Sequence, residues 1–211
     1  MKTRTWLCIP TVLVLGSLAC GATLTFDDVP SGTVLRGSAY AYTHRIWPSS
    51  DLQAIDHTAS PWGHPYSGSN VLVSTGSFPP SIIGFGYFTT YSADWDHLQS
   101  LSAYFSTAPG AMIKITAVHW VGPGGVPVGS TVIGGLGESW DNRYVEIRPS
   151  SPQYSFEEIV IESVNSPSDL TGFCADDMTI TLVPEPSSLL ALAGGLVALG
   201  LPVIRRKWRQ G

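Results

Sequence analysis

From Met112 to Val121 the chain reads Met-Ile-Lys-Ile-Thr-Ala-Val-His-Trp-Val, with apolar and polar side chains taking turns. A repeat of two sends successive side chains to opposite faces of the backbone, which is the geometry of a strand and not of a helix. The same repeat, rich in β-branched and aromatic residues, runs through Leu24 to Phe26, Tyr144 to Arg148, Phe156 to Glu162 and Met178 to Val183. Turn-forming clusters separate these segments: Pro30, Ser31 and Gly32; Gly122, Pro123, Gly124 and Gly125; Asn165, Ser166, Pro167 and Ser168. Only Ala93 to Leu101 hints at a helical turn, capped by Asp94, and Leu98 to Phe105 reads equally well as a strand. Short strands without intervening helices predict an all-β fold, an antiparallel β-sandwich of roughly seven to nine strands. The pattern leaves the strand order open between a jelly roll and an immunoglobulin-like sandwich.

Both termini differ from this middle. Met1 to Trp6 carries Lys2 and Arg4, and Leu7 to Ala22 is apolar with small residues at its close, the layout of a secretory signal peptide cut after Ala22. A lipoprotein reading, with Cys20 acylated, competes less well, because Ser17 stands where such boxes prefer Leu. At the other end come Val183, Pro184, Glu185, Pro186, Ser187 and Ser188, an apolar run from Leu189 to Ile204, and a basic end containing Arg205, Arg206, Lys207 and Arg209. The run is 16 residues long. As a helix it reaches about 24 Å against a hydrocarbon core of about 30 Å, a gap that snorkelling side chains and local thinning absorb. The basic end predicts a cytoplasmic C-terminus, with everything before the run exported.

Motif, apolar segment and basic stop, in that order, resemble the PEP-CTERM sorting signal of bacterial exported proteins. The resemblance implies an exosortase as processing partner, transient anchoring in the inner membrane, and a final place in the cell envelope or extracellular matrix. It implies three parts: a signal peptide over 1–22, a sandwich domain over 23–182 and a sorting signal over 183–211. The two prolines fix φ and keep the motif extended where a membrane enzyme can reach it.

The ends also hide the charge of the exported part. The whole chain carries −5, yet Lys2, Arg4, Arg205, Arg206, Lys207 and Arg209 all lie in the terminal segments. Between Thr23 and Val183, five basic residues face fifteen acidic ones, a net charge of −10. That disfavours nucleic acid and anionic lipid as partners of the domain and favours cations, neutral glycans or simple solubility. Cys8 and Cys20 fall in the signal peptide, so Cys174 is alone in the domain and no internal disulfide is expected. A domain of this size buries roughly 70% of its unfolded surface and does not need one.

Three phrases resemble the jelly-roll domains often found ahead of PEP-CTERM tails, which are similar in outline to carbohydrate-binding modules: Leu24 to Asp28, Leu98 to Phe105, and Phe173 to Ile180. In that resemblance the first and last strands lie together, bringing Asp27 and Asp28 towards Asp176 and Asp177; carboxylates meeting there suit a structural calcium ion, and the alternative is that the pairs cap strands and face water. Aromatic residues beside polar ones supply the expected glycan contacts: Trp95 between Asp94 and Asp96, Trp140 before Asp141 and Asn142, and Trp62 and Tyr66 in a loop. Trp120, inside an alternating strand, is expected in the core. The histidines, among them His57 and His64 near Asp56, match no ligand spacing, and His44, His97 and His119 suggest no partner. Nucleophile elbows, zinc-protease helices, phosphate loops and dinucleotide fingerprints are all absent from the sequence. The expectation is a non-catalytic polysaccharide-binding domain, with a β-sandwich polysaccharide hydrolase as the alternative.

Overall fold

A computed structural model describes residues 21–59, 66–76, 80–88, 93–121, 124–135, 140–165 and 167–183. Residues 1–20 and 184–211 lie outside it, and with them most of the signal peptide, Pro184, Glu185 and Pro186, the apolar run and the basic end. Among the described residues no helix is long and apolar enough to cross a membrane.

Apart from 3-10 turns at His57–Ala59 and Pro167–Thr171, the regular structure among the described residues is mainly antiparallel strands. In order these are β1 (Gly21–Leu24), β2 (Thr33–Val34), β3 (Ile46–Pro48), β4 (Leu52–Asp56), β5 (Asn70–Ser74), β6 (Ser81–Phe88), β7 (Ala93–Trp95), β8 (Leu98–Thr107), β9 (Met112–Val121), β10 (Gly124–Gly134), β11 (Trp140–Ile147), β12 (Glu158–Ser163) and β13 (Phe173–Leu182). One short helix, α1 (Ala39–Thr43), starts where the Ser38 hydroxyl accepts from the Ala41 amide at 3.1 Å. The alternating segment Met112 to Val121 is β9 with the same ends. Other expectations shift, with β11, β12 and β13 beginning at Trp140, Glu158 and Phe173. Phe26 adopts a left-handed conformation, with φ 64°, so the first strand stops at Leu24. That strand also begins at Gly21, across the expected cleavage point after Ala22. Gly124 and Gly125 belong to β10 and not to a turn. Ala93 to Leu101 holds no helical turn: β7 and the start of β8 occupy it, because β7 pairs with β6.

A seven-stranded sheet runs β11-β8-β13-β5-β4-β2, with β1 also on β13. A six-stranded sheet runs β10-β9-β12-β6-β3, with β7 also on β6. Stripped to the long strands, the orders β5-β13-β8-β11 and β6-β12-β9-β10 are two interlocked Greek keys, so consecutive strands β8 and β9, β10 and β11, and β12 and β13 alternate between sheets. That is jelly-roll order, and it closes the immunoglobulin-like alternative. The remaining short strands widen each sheet and carry the count past the seven to nine expected.

Alternation decides which side chains enter the core. From β8 come Leu101, Ala103 and Phe105, from β9 Ile113, Ile115 and Ala117, from β12 Ile159 and Ile161, and from β13 Phe173, Ala175, Met178 and Ile180, all buried in one cluster. Their intervening neighbours must therefore face outward, one set on each sheet. A buried polar knot joins the sheets at one edge. Asp51, fully buried, accepts hydrogen bonds from the hydroxyls of Ser49, Ser74 and Ser81, the last two from opposite sheets.

Candidate functional site

The outer face of the six-stranded sheet carries a line of tryptophans. Registers place Trp47 of β3 against Gly84 of β6, Gly84 against Glu158 of β12, and Glu158 against Val118 of β9. Ile83, Phe85 and Ile159 point into the core, so Gly84 and Glu158 present the opposite face. Gly84 matters for its missing side chain. A Cβ there would sit 2.9 Å from Cζ3 of Trp95 and 3.6 Å from Cβ of Trp47, so the Trp95 ring lies directly over the bare backbone of β6. Two residues beyond Val118 on the same face is Trp120, whose indole hydrogen-bonds to the Glu158 carboxylate. Tyr42, 57% exposed, meets Trp47 edge to face with ring centres 6.4 Å apart.

Glu158 is half-buried among these rings, which pushes its carboxyl above the usual range, and the Trp120 hydrogen bond partly offsets the rise. Next to it Thr116, outward on β9 and 6% exposed, has a buried hydroxyl with no hydrogen-bond partner. Apolar rings beside one half-buried carboxylate make a surface of the kind that can stack on a ring and bond to a hydroxyl, while the Thr116 hydroxyl lies beneath it, out of reach of solvent. Trp120 is therefore not a core residue: at 38% exposure it completes this face, because the alternation of β9 that buries Ile115 and Ala117 turns residue 120 outward.

The backbone under Trp120 is fixed from below. Glu157, 2% exposed, accepts from the Trp120 amide through Oε2 at 2.9 Å, and its Oε1 lies 2.6 Å from His97 Nδ1 and 3.1 Å from His119 Nδ1. His97 and His119 thus have a shared partner that their positions in the chain did not reveal. Sixty residues separate His97 from Glu157, and only the packing of β12 against β9 joins His119 to it. Arg45 and Asp96 form an ion pair at 3.1 Å beside β7.

Tyr66 is on the opposite side of the molecule. It stacks on Tyr104 of β8, with ring centres 3.4 Å apart and planes 6° from parallel. Tyr104 in turn meets Tyr144 of β11 edge to face at 5.6 Å. The two glycan candidates Trp95 and Tyr66 therefore do not share a site. Trp62 lies outside the described residues, and Trp140 contributes backbone to β11 while its indole lies outside the description.

The acidic pairs meet in part, around the segment Ser67 to Asn70. Asp27 Oδ1 accepts from the amides of Ser69 at 2.7 Å and Asn70 at 2.9 Å. Asp176 Oδ2 accepts from the Ser67 amide at 2.9 Å, and Asp177 Oδ1 from the Ser67 hydroxyl at 2.7 Å. Asp28 does not join them; it faces His44 at 3.5 Å. Among the described residues no three His, Cys, Asp or Glu side chains are grouped to hold a metal ion. The carboxylates instead use lone pairs on amide and hydroxyl donors. Burial raises the Asp176 carboxyl, and its amide donors pull the other way. Cys174 is a buried thiol, pushed up to about 11 by burial, and so unreactive.

No family model matches this chain, and no curated protein matches it. Among solved structures, CsCBM6-3 from Clostridium stercorarium, determined in complex with cellobiose, is similar at 14% identity and a TM-score of 0.35, over 76% of this chain and 92% of that one. A DUF4465 family protein from Bacteroides caccae is similar at 14% identity and a TM-score of 0.39, over 64% of this chain and 73% of that one. Neither likeness says what this chain binds.

Proposed function

We propose that this is an exported, non-catalytic surface or matrix protein whose sandwich holds polysaccharide on its tryptophan face. The observation that carries the binding half is the row Trp47, Trp95 and Trp120 around Glu158, laid over the glycine floor at Gly84. Indole rings stack on the apolar faces of sugars, while the Glu158 carboxylate accepts from their hydroxyls. The net charge of −10 between Thr23 and Val183 turns away acidic polymers and leaves neutral glycans as the fitting class.

The delivery half rests on the tail alone. Val183 is the last described residue, and its amide donates to the His97 carbonyl at 2.8 Å. Pro184, Glu185 and Pro186 follow it directly, so an exosortase cutting there would release the sandwich without trimming a strand.

Two experiments test the halves separately. Pull-down on insoluble neutral polysaccharides, with reducing ends assayed in the same tubes, should show retention without release; release of reducing ends would favour the hydrolase. Intact mass of the protein from its host should end near Val183 to Pro186 only when the exosortase is present, and Glu185→Ala should abolish that end while leaving folding unchanged.

A further inference from the structure

The outer face of the seven-stranded sheet is built as deliberately as the tryptophan face and is used by nothing described so far. Its outward residues in β8 and β13 are small and hydroxylated: Ser102 pairs with Thr179, and Thr179 with Thr23 of β1, whose hydroxyls lie 2.9 Å apart. On this polar ground stand three aromatic rings, Tyr144, Tyr104 and Tyr66. Tyr144 and Tyr104 are register partners on β11 and β8. Tyr66 arrives from the segment before β5 and is clamped over Tyr104, because Asp176 and Asp177 both hold Ser67 next to it. Consecutive residues of a regular strand cannot point the same way. Here they do, because β13 carries a bulge after Asp176 and Asp177 adopts φ 45°. The result leaves Tyr66 53% and Tyr144 58% exposed.

We infer that this tyrosine stack is a second surface for a neutral glycan chain, which makes the domain bivalent. The inference rests on the tryptophan face being a glycan site. The rings stand among the hydroxyls of Ser102, Thr179 and Thr23, which match those of a sugar chain; a protein partner, which also favours Tyr at its contacts, would leave this face without effect in the polymer gels. A phosphorylated or sulfated polymer would meet Asp177 and the net charge of −10 between Thr23 and Val183. Because the two faces look away from each other across a sandwich about 10 Å thick between sheets, one short glycan cannot reach both. Two chains can be held at once, so the protein would cross-link polysaccharide.

The test uses the exported protein, a Tyr66→Ala/Tyr144→Ala variant, a Trp95→Ala/Trp120→Ala variant and the combination of all four. Soluble hydroxyethylcellulose, galactomannan and arabinoxylan serve as probes. Retardation in gels containing each polymer reads binding, and viscosity of the mixed solution reads cross-linking. With a polymer that retards the unmodified protein, each single-face variant should keep retardation, weakened at least fivefold, and lose the rise in viscosity; the fourfold variant should migrate freely. Circular dichroism checks that each variant is folded. Free migration of the folded Trp95→Ala/Trp120→Ala variant, or undiminished viscosity with Tyr66→Ala/Tyr144→Ala, would overturn bivalency while leaving the tryptophan site in place. Free migration of the unmodified protein on all three polymers would overturn both readings together.

Discussion

The two outer faces of this sandwich reach similar chemistry by opposite routes. On the six-stranded sheet the tryptophans belong to strands, and a glycine clears the space that the Trp95 ring occupies. On the seven-stranded sheet two tyrosines belong to strands, and the third is delivered by a segment that Asp27, Asp176 and Asp177 tie down. The first arrangement is as rigid as the sheet beneath it. The second is only as rigid as the hydrogen bonds holding Ser67 to Asn70, so the tyrosine face should yield first to mutation, pH and heat.

The comparison breaks outright if the shared body fails. Asp51→Ala would leave the buried hydroxyls of Ser49, Ser74 and Ser81 without their acceptor, and stability should fall by about 3–5 kcal/mol in urea titration, with both faces lost together. A loss confined to one face would show that the sheets are less interdependent than the knot implies. Next in size, Asp176→Ala should cost about 1–3 kcal/mol by freeing the Ser67 amide. Amide exchange should then quicken at Ser67, Ser69 and Asn70 while protection of β9 and β12 stays unchanged. Gly84→Val acts on the other face alone. Its side chain must displace the Trp95 ring, so stability should fall by about 1–3 kcal/mol, tryptophan fluorescence should shift, and glycan retention should drop while the tyrosine stack keeps its near-ultraviolet dichroism.

Smaller effects sharpen the picture. The folded carboxyl of Glu158 sits above its unfolded range, because burial favours the neutral form. The folded state therefore binds the extra proton, and stability should decline as pH rises from the ordinary glutamate range through the raised value. Glu158→Gln should flatten that decline in melts at successive pH values; an unchanged slope would assign it to Asp176, which is shifted in the same direction. The smallest effect is calcium. Since Asp27, Asp176 and Asp177 already accept hydrogen bonds, added calcium should move Tm by less than ~2 °C. A larger rise, lost in Asp27→Asn, would mean that the ion displaces those donors and is the structural calcium the acidic pairs imply.

How far each feature could be read depends on the span of chain it needs. Strand β9 was legible to its end residues because its repeat is local and uninterrupted. Phe26 broke the pattern of the first strand because a left-handed residue is set by where the chain must turn next, towards α1 and the Tyr40 hydroxyl that its amide meets at 3.3 Å. Trp95 stood out in the sequence for its polar neighbours, but its setting over Gly84 depends on β7 pairing with β6. Trp120 was misassigned because alternation gives two faces without saying which is covered. Asp27, Asp176 and Asp177 converge because β1 pairs with β13, whereas Asp28 turns to His44, and the segment the three hold could not be named from the sequence.

By itself the sequence determined the all-β character, the acidity of the middle and its distinct ends, because these follow from periodicity, charge and local composition. Only the tertiary structure decided jelly-roll order, the clasp of Glu157 on His97 and His119, and the division of the aromatic residues between two faces. Those depend on contacts between residues tens of positions apart, and their pairing is fixed by how the two sheets close over one core rather than by any neighbour in the chain.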